Sequence, residues 1–129
     1  MIIDSSALMA VLNDEPEADQ VLDAAAAATC IMSVANWLEV SIVADNRSTS
    51  HGIRLDELID VLNIEIVAVT PRQGDVARLA YRRFGRGSGS PAQLNYGDCF
   101  AYALSVVQGE ALLYVGNDFT HTDVASALT

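Results

Sequence analysis

The sequence of 129 residues contains no lysine, and its basic residues are seven arginines and two histidines. Against 17 acidic residues this gives a formal net charge of −10. Phosphate contacts are made mainly by Lys and Arg, so this composition argues against a broad nucleic-acid surface. Most of the arginines nevertheless lie close together in the sequence: Arg72, Arg78, Arg82, Arg83 and Arg86. They are equally compatible with a small phosphate-binding patch and with a solvated helix face.

Cysteine and long apolar runs are scarce too. The two cysteines, Cys30 and Cys99, have no metal-ligand spacing and are assigned to the core, as free thiols in a reducing compartment would be. No apolar run approaches the roughly 18 residues of a membrane span, and no secretory signal pattern is present. The length and the 51% hydrophobic residues predict a single globular domain, residues 1–129. The lack of an export signal predicts a cytoplasmic location.

Helical and strand patterns alternate along the chain. Helices are predicted at residues 5–13, 16–28, 34–45, 55–62, 71–84 and 98–107. Strands are predicted at residues 1–3, 30–32, 64–69 and 112–115, with a fifth, edge strand at 124–128 and a flexible loop at 85–93. This alternation predicts an α/β fold in which a mostly parallel sheet of about five strands carries helices on both faces.

Two carboxylates follow predicted strands. Asp4 follows the first strand and Asp118 comes shortly after the fourth. The carboxyl ends of parallel strands are where ligand crevices form in open α/β sheets, so both acids are candidates for one site. Asp4, with Ser5 and Ser6 after it, is equally well explained as the N-cap of the first helix.

Two further acids lie in predicted helices. Glu39 has apolar immediate neighbours, shares a helix face with Asn36, and has no Lys or Arg within a helical turn. The alternative is that Glu39 reaches solvent from a half-exposed face. Asp98 opens a predicted helix, where capping and the helix dipole would explain it without any function.

Four such acids in one crevice would repel each other and would require a cation. Carboxylate oxygens suit Mg²⁺ or Mn²⁺, which can activate a water molecule and stabilise charge on a phosphate during phosphodiester hydrolysis. The two histidines, His51 and His121, are left out of the predicted site.

Four sequence segments carry a resemblance to a known family: MIIDSSA at residues 1–7, SVANWLE at 33–39, LNYGDCFAYAL at 94–104, and GNDF at 116–119 with Thr122 and Asp123. The third segment is the most specific. The chain resembles PIN-domain ribonuclease toxins of the VapC type, from VapBC toxin–antitoxin systems. This resemblance implies a three-layer α/β/α sandwich that cleaves structured RNA, of the tRNA or rRNA class, endonucleolytically with Mg²⁺ or Mn²⁺.

The resemblance also implies roles for individual residues. Its four acids match the catalytic set Asp4, Glu39, Asp98 and Asp118, of which Asp4, Asp98 and Asp118 would bind the metal. Neighbouring positions with supporting roles are Ser6, Asn117 and Asp123. The RNA-binding candidates, Arg82, Arg83 and Arg86, come from the arginine cluster and not from the resemblance. The implied partners are a cognate VapB-type antitoxin and a second copy of the chain, with no membrane.

Other classes fit less well. A haloacid-dehalogenase-type phosphohydrolase needs a second acid two residues after Asp4, where this chain has Ser6, and a lysine, which it lacks. A response-regulator receiver also needs a lysine. A catalytically silent PIN-like module that binds RNA or protein stays open as the alternative to an enzyme.

Overall fold

The computed structural model describes residues 1–128, which form one parallel sheet covered by helices. The strands are β1 (Ile2–Ile3), β2 (Ile31–Ser33), β3 (Glu65–Val67) and β4 (Leu112–Leu113). They lie in the order β3-β2-β1-β4, and every pairing is parallel. The predicted α/β class and parallel sheet are therefore confirmed.

Six helices connect or follow the strands in residues 1–128: α1 (Ser5–Leu12), α2 (Ala18–Ala26), α3 (Val34–Arg47), α4 (Thr49–Val61), α5 (Pro71–Phe84) and α6 (Tyr96–Gln108). The side chains of consecutive residues in β1 point to opposite faces of the sheet, as they do in any β-strand. Ile3 packs into the core under α1 to α4, whereas Ile2 packs into the core under α5 and α6. Strands β1 and β4 are apolar and buried throughout, as is typical of parallel sheets with both faces covered, whereas β3 contains the exposed Glu65.

Polar side chains cap the N-termini of five helices. Asp4, Ser33, Ser48, Thr70 and Asn95 each accept a hydrogen bond from a backbone N–H in the first turn of α1, α3, α4, α5 and α6, respectively. These caps satisfy donors that have no partner inside the helix. They fix where each helix starts, and so fix the position of the residues at the sheet's carboxyl edge.

Several predicted boundaries were wrong. The fourth helix begins at Thr49 rather than at residue 55, since Ser48 caps it and its polar first turns hide the apolar pattern. The sixth begins at Tyr96 because the cap is Asn95, which makes Asp98 the third helical residue rather than the first. The fourth strand ends at Leu113, and the predicted fifth strand consists of a single parallel bridge between Leu112 and Ser126.

Among residues 1–128, none of the helices is both long and apolar enough to cross a membrane.

Candidate active site

The candidate site lies at the carboxyl edge of the sheet, where the strand order reverses. The chain builds β1, β2 and β3 in one direction and then places β4 on the other side of β1. The Asp4 N–H donates to the carbonyl of Leu113 at 3.0 Å, and the Val115 N–H donates to Oγ of Ser6 at 3.0 Å. Ligand crevices in open α/β sheets form at such a reversal, outside the ends of the strands.

Asp4 lies at the centre of this edge and is almost completely buried, with 4% of its surface exposed. Its Oδ2 accepts a hydrogen bond from the Ser6 N–H at 3.0 Å, so the carboxylate does cap α1. Burial raises the pKa of Asp4 to about 6, although the hydrogen bonds from Ser6 lower it, and Glu39 and Asp118 add to the rise. Asp4 is therefore the N-cap of α1 and also lies near two of the other candidate acids.

Asp98 forms a capping box with Asn95 at the start of α6. Oδ2 of Asp98 accepts from the Asn95 N–H, and Oδ1 of Asn95 accepts from the Asp98 N–H, both at 2.9 Å. Burial raises the pKa of Asp98 to about 7, although the Asn95 backbone hydrogen bond lowers it. Asp4, Asp118 and Glu39 raise that pKa further. Asp98 is therefore both a capping residue of α6 and a member of the group of neighbouring acids.

Glu39 is half-buried on α3, and its carboxylate accepts hydrogen bonds from residues of α1 and α3. Oε1 accepts from the Ser5 hydroxyl at 2.6 Å and, more weakly, from Nδ2 of Asn36 at 3.4 Å. The same Nδ2 donates to the Gly97 carbonyl at 2.9 Å. Glu39 therefore points inward to α1 and α6 and does not extend freely into solvent.

Asp118 and Asn117 are both exposed, on the loop after β4. Phe119 anchors this loop, because its ring is 1% exposed and lies 5.2 Å from the ring of Tyr114. Asp118 raises the pKa values of both Asp4 and Asp98. The four predicted catalytic acids therefore lie near one another in space.

Neither Asp123 nor the three arginines contributes to the raised pKa values of Asp4 and Asp98. Asp123 accepts from the Tyr102 hydroxyl at 2.6 Å and forms a salt bridge of 3.2 Å with Arg83, whose guanidinium also lies over the Phe84 ring. Arg82 and Arg86 are exposed and form no salt bridge within residues 1–128. Of the three arginines, these two have their guanidinium groups available for a phosphate.

The donor set of the cluster fits a hard cation. All four side chains offer carboxylate oxygens, and none forms a salt bridge within the described chain. Near them, the buried Oδ1 of Asn36 has no hydrogen-bond partner. In residues 1–128 no three His, Cys, Asp or Glu side chains converge closely enough to hold an ion by themselves. Mg²⁺ commonly keeps several waters and uses one or two carboxylates, so it does not need such a convergence.

Sequence reasoning missed Ser5 and Gly97 as neighbours of Glu39. Ser5 is 34 residues away from Glu39 in the chain, and no local pattern connects the two. The sequence did contain a signal for Gly97. A glycine in the first turn of a helix lowers the stability of that helix, and nothing in the neighbouring sequence explains why it is there, beside an acid.

Fold and site together define a parallel α/β domain with an acidic centre at its topological switch point. The PIN-domain family model matches residues 1–125. Ribonuclease VapC28 of Mycobacterium tuberculosis is 48% identical over 130 aligned residues, which cover 99% of this chain and 98% of the relative. The chain therefore belongs to the PIN-domain family, among the VapC ribonucleases.

Solved structures agree with this fold. The structure of Mycobacterium tuberculosis VapC20, described as a sarcin–ricin loop cleaving toxin, matches with a TM-score of 0.73 and 13% identity over 96% of this chain and 95% of that one. A toxin–antitoxin complex from Klebsiella pneumoniae matches with a TM-score of 0.71 and 16% identity over 95% and 92%. The predicted three-layer PIN-like architecture is thus confirmed.

Proposed function

We propose that the chain is a Mg²⁺- or Mn²⁺-dependent endoribonuclease and the toxin of a type II toxin–antitoxin pair in the cytoplasm. The observation that carries this proposal is the acid cluster. Asp4 and Asp98 are buried, their pKa values are raised by burial and by the other acids, and no cationic side chain of residues 1–128 neutralises the four. A bound divalent cation would supply that charge.

Asp4, Asp98 and Asp118 would hold the cation together with bound waters. The cation would lower the pKa of an attacking water and stabilise charge developing on the phosphate. Glu39 is proposed to accept the proton of that water. Its hydrogen bond from Ser5 orients the carboxylate, and its partial exposure leaves it accessible to substrate. Ser6 would keep the ends of β1 and β4 together through its bond from the Val115 N–H.

Cleavage assays on the antitoxin-free protein test this function. We expect it to cleave structured RNA with Mg²⁺ or Mn²⁺ present, and cleavage should fall to the buffer background in EDTA and return when Mn²⁺ is added in excess. Chelation should stop cleavage because, without the cation, the carboxylates would repel the phosphate. Cleavage that continues unchanged in EDTA would remove the metal mechanism, and no cleavage with either ion would favour a silent binding module.

RNA binding is proposed to use the arginines at the end of α5. Replacing Arg82 and Arg86 with alanine should weaken binding of RNA to an inactive Asp98→Asn protein. On a single strand, the slope of log affinity against log salt should become shallower by about 0.7 for each phosphate that is no longer neutralised. Arg83→Ala serves as the comparison and should have the smaller effect, since Arg83 is paired with Asp123. Equal salt slopes in wild type and the double variant would mean that these arginines lie on a solvated helix face and do not bind phosphate.

Partners are proposed on the same basis. Membership of the VapC ribonucleases, and the fold shared with the Klebsiella pneumoniae complex, support a VapB-type antitoxin. A homodimer is proposed from the resemblance alone. An apolar groove of about 490 Å³ between α3 and α6, lined in part by Leu38, Ile42 and Phe100, also includes Glu39 and Gly97, and we assign it to the antitoxin. Tyr96, at its rim, is 80% exposed. The RNA class, tRNA or rRNA, is proposed from the resemblance alone.

A further inference from the structure

Gly97 leaves room for the Glu39 carboxylate. A Cβ at position 97 would lie 2.1 Å from Oε2 and 2.8 Å from Cδ of Glu39, far inside van der Waals contact. Gly97 is helical and its φ is not positive, so its backbone would accept alanine. Alanine is also the better helix former. The missing side chain is thus explained by Glu39 and not by the helix.

Two hydrogen-bond donors complete the arrangement around this carboxylate. Ser5 donates to Oε1 at 2.6 Å, and Asn36 connects Oε1 with the Gly97 carbonyl through Nδ2. Asn36 is fully buried, and these are its two contacts as a donor. We name Ser5, Asn36 and Gly97 the Glu39 cradle. Its three members come from α1, α3 and α6, so it forms only in the folded chain.

The geometry points to the Glu39 cradle as a set of positioning residues that keeps the Glu39 carboxylate on the Asp98 side of α3, where it can act on substrate. This inference rests on the proposed ribonuclease function. The conflict between helix propensity and the choice of glycine is the kind of local cost that proteins accept at functional sites. An alanine at position 97 would displace the flexible end of Glu39, and a shift of about 1 Å at a reacting group can cost about a hundredfold in rate.

A double-mutant cycle between Gly97→Ala and Glu39→Ala tests the contact in the full chain. In EDTA, Gly97→Ala should leave the melting temperature unchanged or lower it, because the carboxylate must leave its hydrogen bonds. In the Glu39→Ala background the same substitution should raise it, because the space is then empty. We expect the two shifts to differ by at least about 3 °C. Equal shifts in both backgrounds would overturn the contact.

Activity provides the second arm. Gly97→Ala should lower kcat by about a hundredfold with KM nearly unchanged, and should cause no further loss when Glu39 is already alanine. Ser5→Ala removes a donor without adding volume, and should lower kcat by about tenfold or more in the wild-type background only. A Gly97→Ala enzyme whose kcat stays within about threefold of wild type would overturn the positioning role.

Gly74→Ala is the matched control. Gly74 lies in α5, and a Cβ built there meets nothing within 4 Å. This variant should be slightly more stable than wild type and should cleave RNA at the wild-type rate. Wild-type protein that is inactive toward RNA would overturn the proposed function, whereas the melting cycle in EDTA decides the contact between Gly97 and Glu39 by itself.

Discussion

Asp98→Asn and Asp4→Asn are each expected to lower the rate of RNA cleavage by at least about a hundredfold while leaving the melting temperature in EDTA equal or higher. The loss follows because a metal centre contributes several kcal/mol of transition-state stabilisation. The stability should be kept because asparagine can still accept the capping hydrogen bonds that both residues make. Removing one buried negative charge also relieves repulsion within the cluster.

Melting curves with EDTA and with excess Mg²⁺, together with a cleavage assay, check this expectation. Wild type should gain stability from Mg²⁺ because a ligand bound only by the folded state stabilises it, and both variants should lose most of that gain. Asp23→Asn is the control, since Asp23 is exposed on α2, remote in sequence from the four acids. Variants that melt markedly lower in EDTA but still cleave RNA would show that these acids serve only the fold.

The metal-free protein should become less stable as the pH rises from about 4 to about 7, and Asp4 should account for a large part of the change. The folded-state pKa of Asp4 is raised from 3.8 to about 6. Between these values the folded chain binds more protons than the unfolded chain, so the free energy of unfolding falls with rising pH. At about 1.4 kcal/mol per pKa unit, Asp4 contributes a change on the order of 3 kcal/mol.

Urea unfolding in EDTA at several pH values measures this slope. Asp4→Asn should flatten the curve between pH 4 and 6, and Asp98→Asn should flatten it up to about pH 7, in keeping with the raised pKa of Asp98. Asp23→Asn should leave the slope unchanged. An identical slope in wild type and in Asp4→Asn would mean that the Asp4 carboxylate does not resist ionisation.

Local chemistry predicted well those elements whose signals are short in range. The apolar residues of β1, the cap at Ser33 and the Thr70-Pro71 start of α5 were all recognisable, and the structure confirms them. Helix α4 was recognised only in its apolar second half, because Ser48 rather than an apolar residue marks its start. The start of α6 was displaced for a similar reason, since Asn95 and Asp98 form one capping box and each alone could be the cap.

The candidate site was predictable as a set of acids but not as an arrangement. Strand-end placement identified Asp4 and Asp118, whereas the orientation of Glu39 depends on Ser5 and Gly97, which lie far from it in sequence. Asp123 stays a predicted supporting residue. Its oxygens are engaged by Tyr102 and Arg83, and no sequence periodicity could have connected it to either of them.

The parallel pairing of β1 with β4 also determines when the site can form during folding. The bond from the Val115 N–H to Ser6 closes a sequence separation of 109 residues, and Asp4 depends on Leu113 for its backbone partner. Contacts of such long range must overcome a loop-closure entropy and slow the folding of a domain. During synthesis on the ribosome Asp4 is made early, but it can lie near Asp118 only after almost the whole chain has been made. A nascent or truncated chain that ends before β4 therefore carries three of the four acids, and the centre is complete only once the residues after the last strand of the sheet are present.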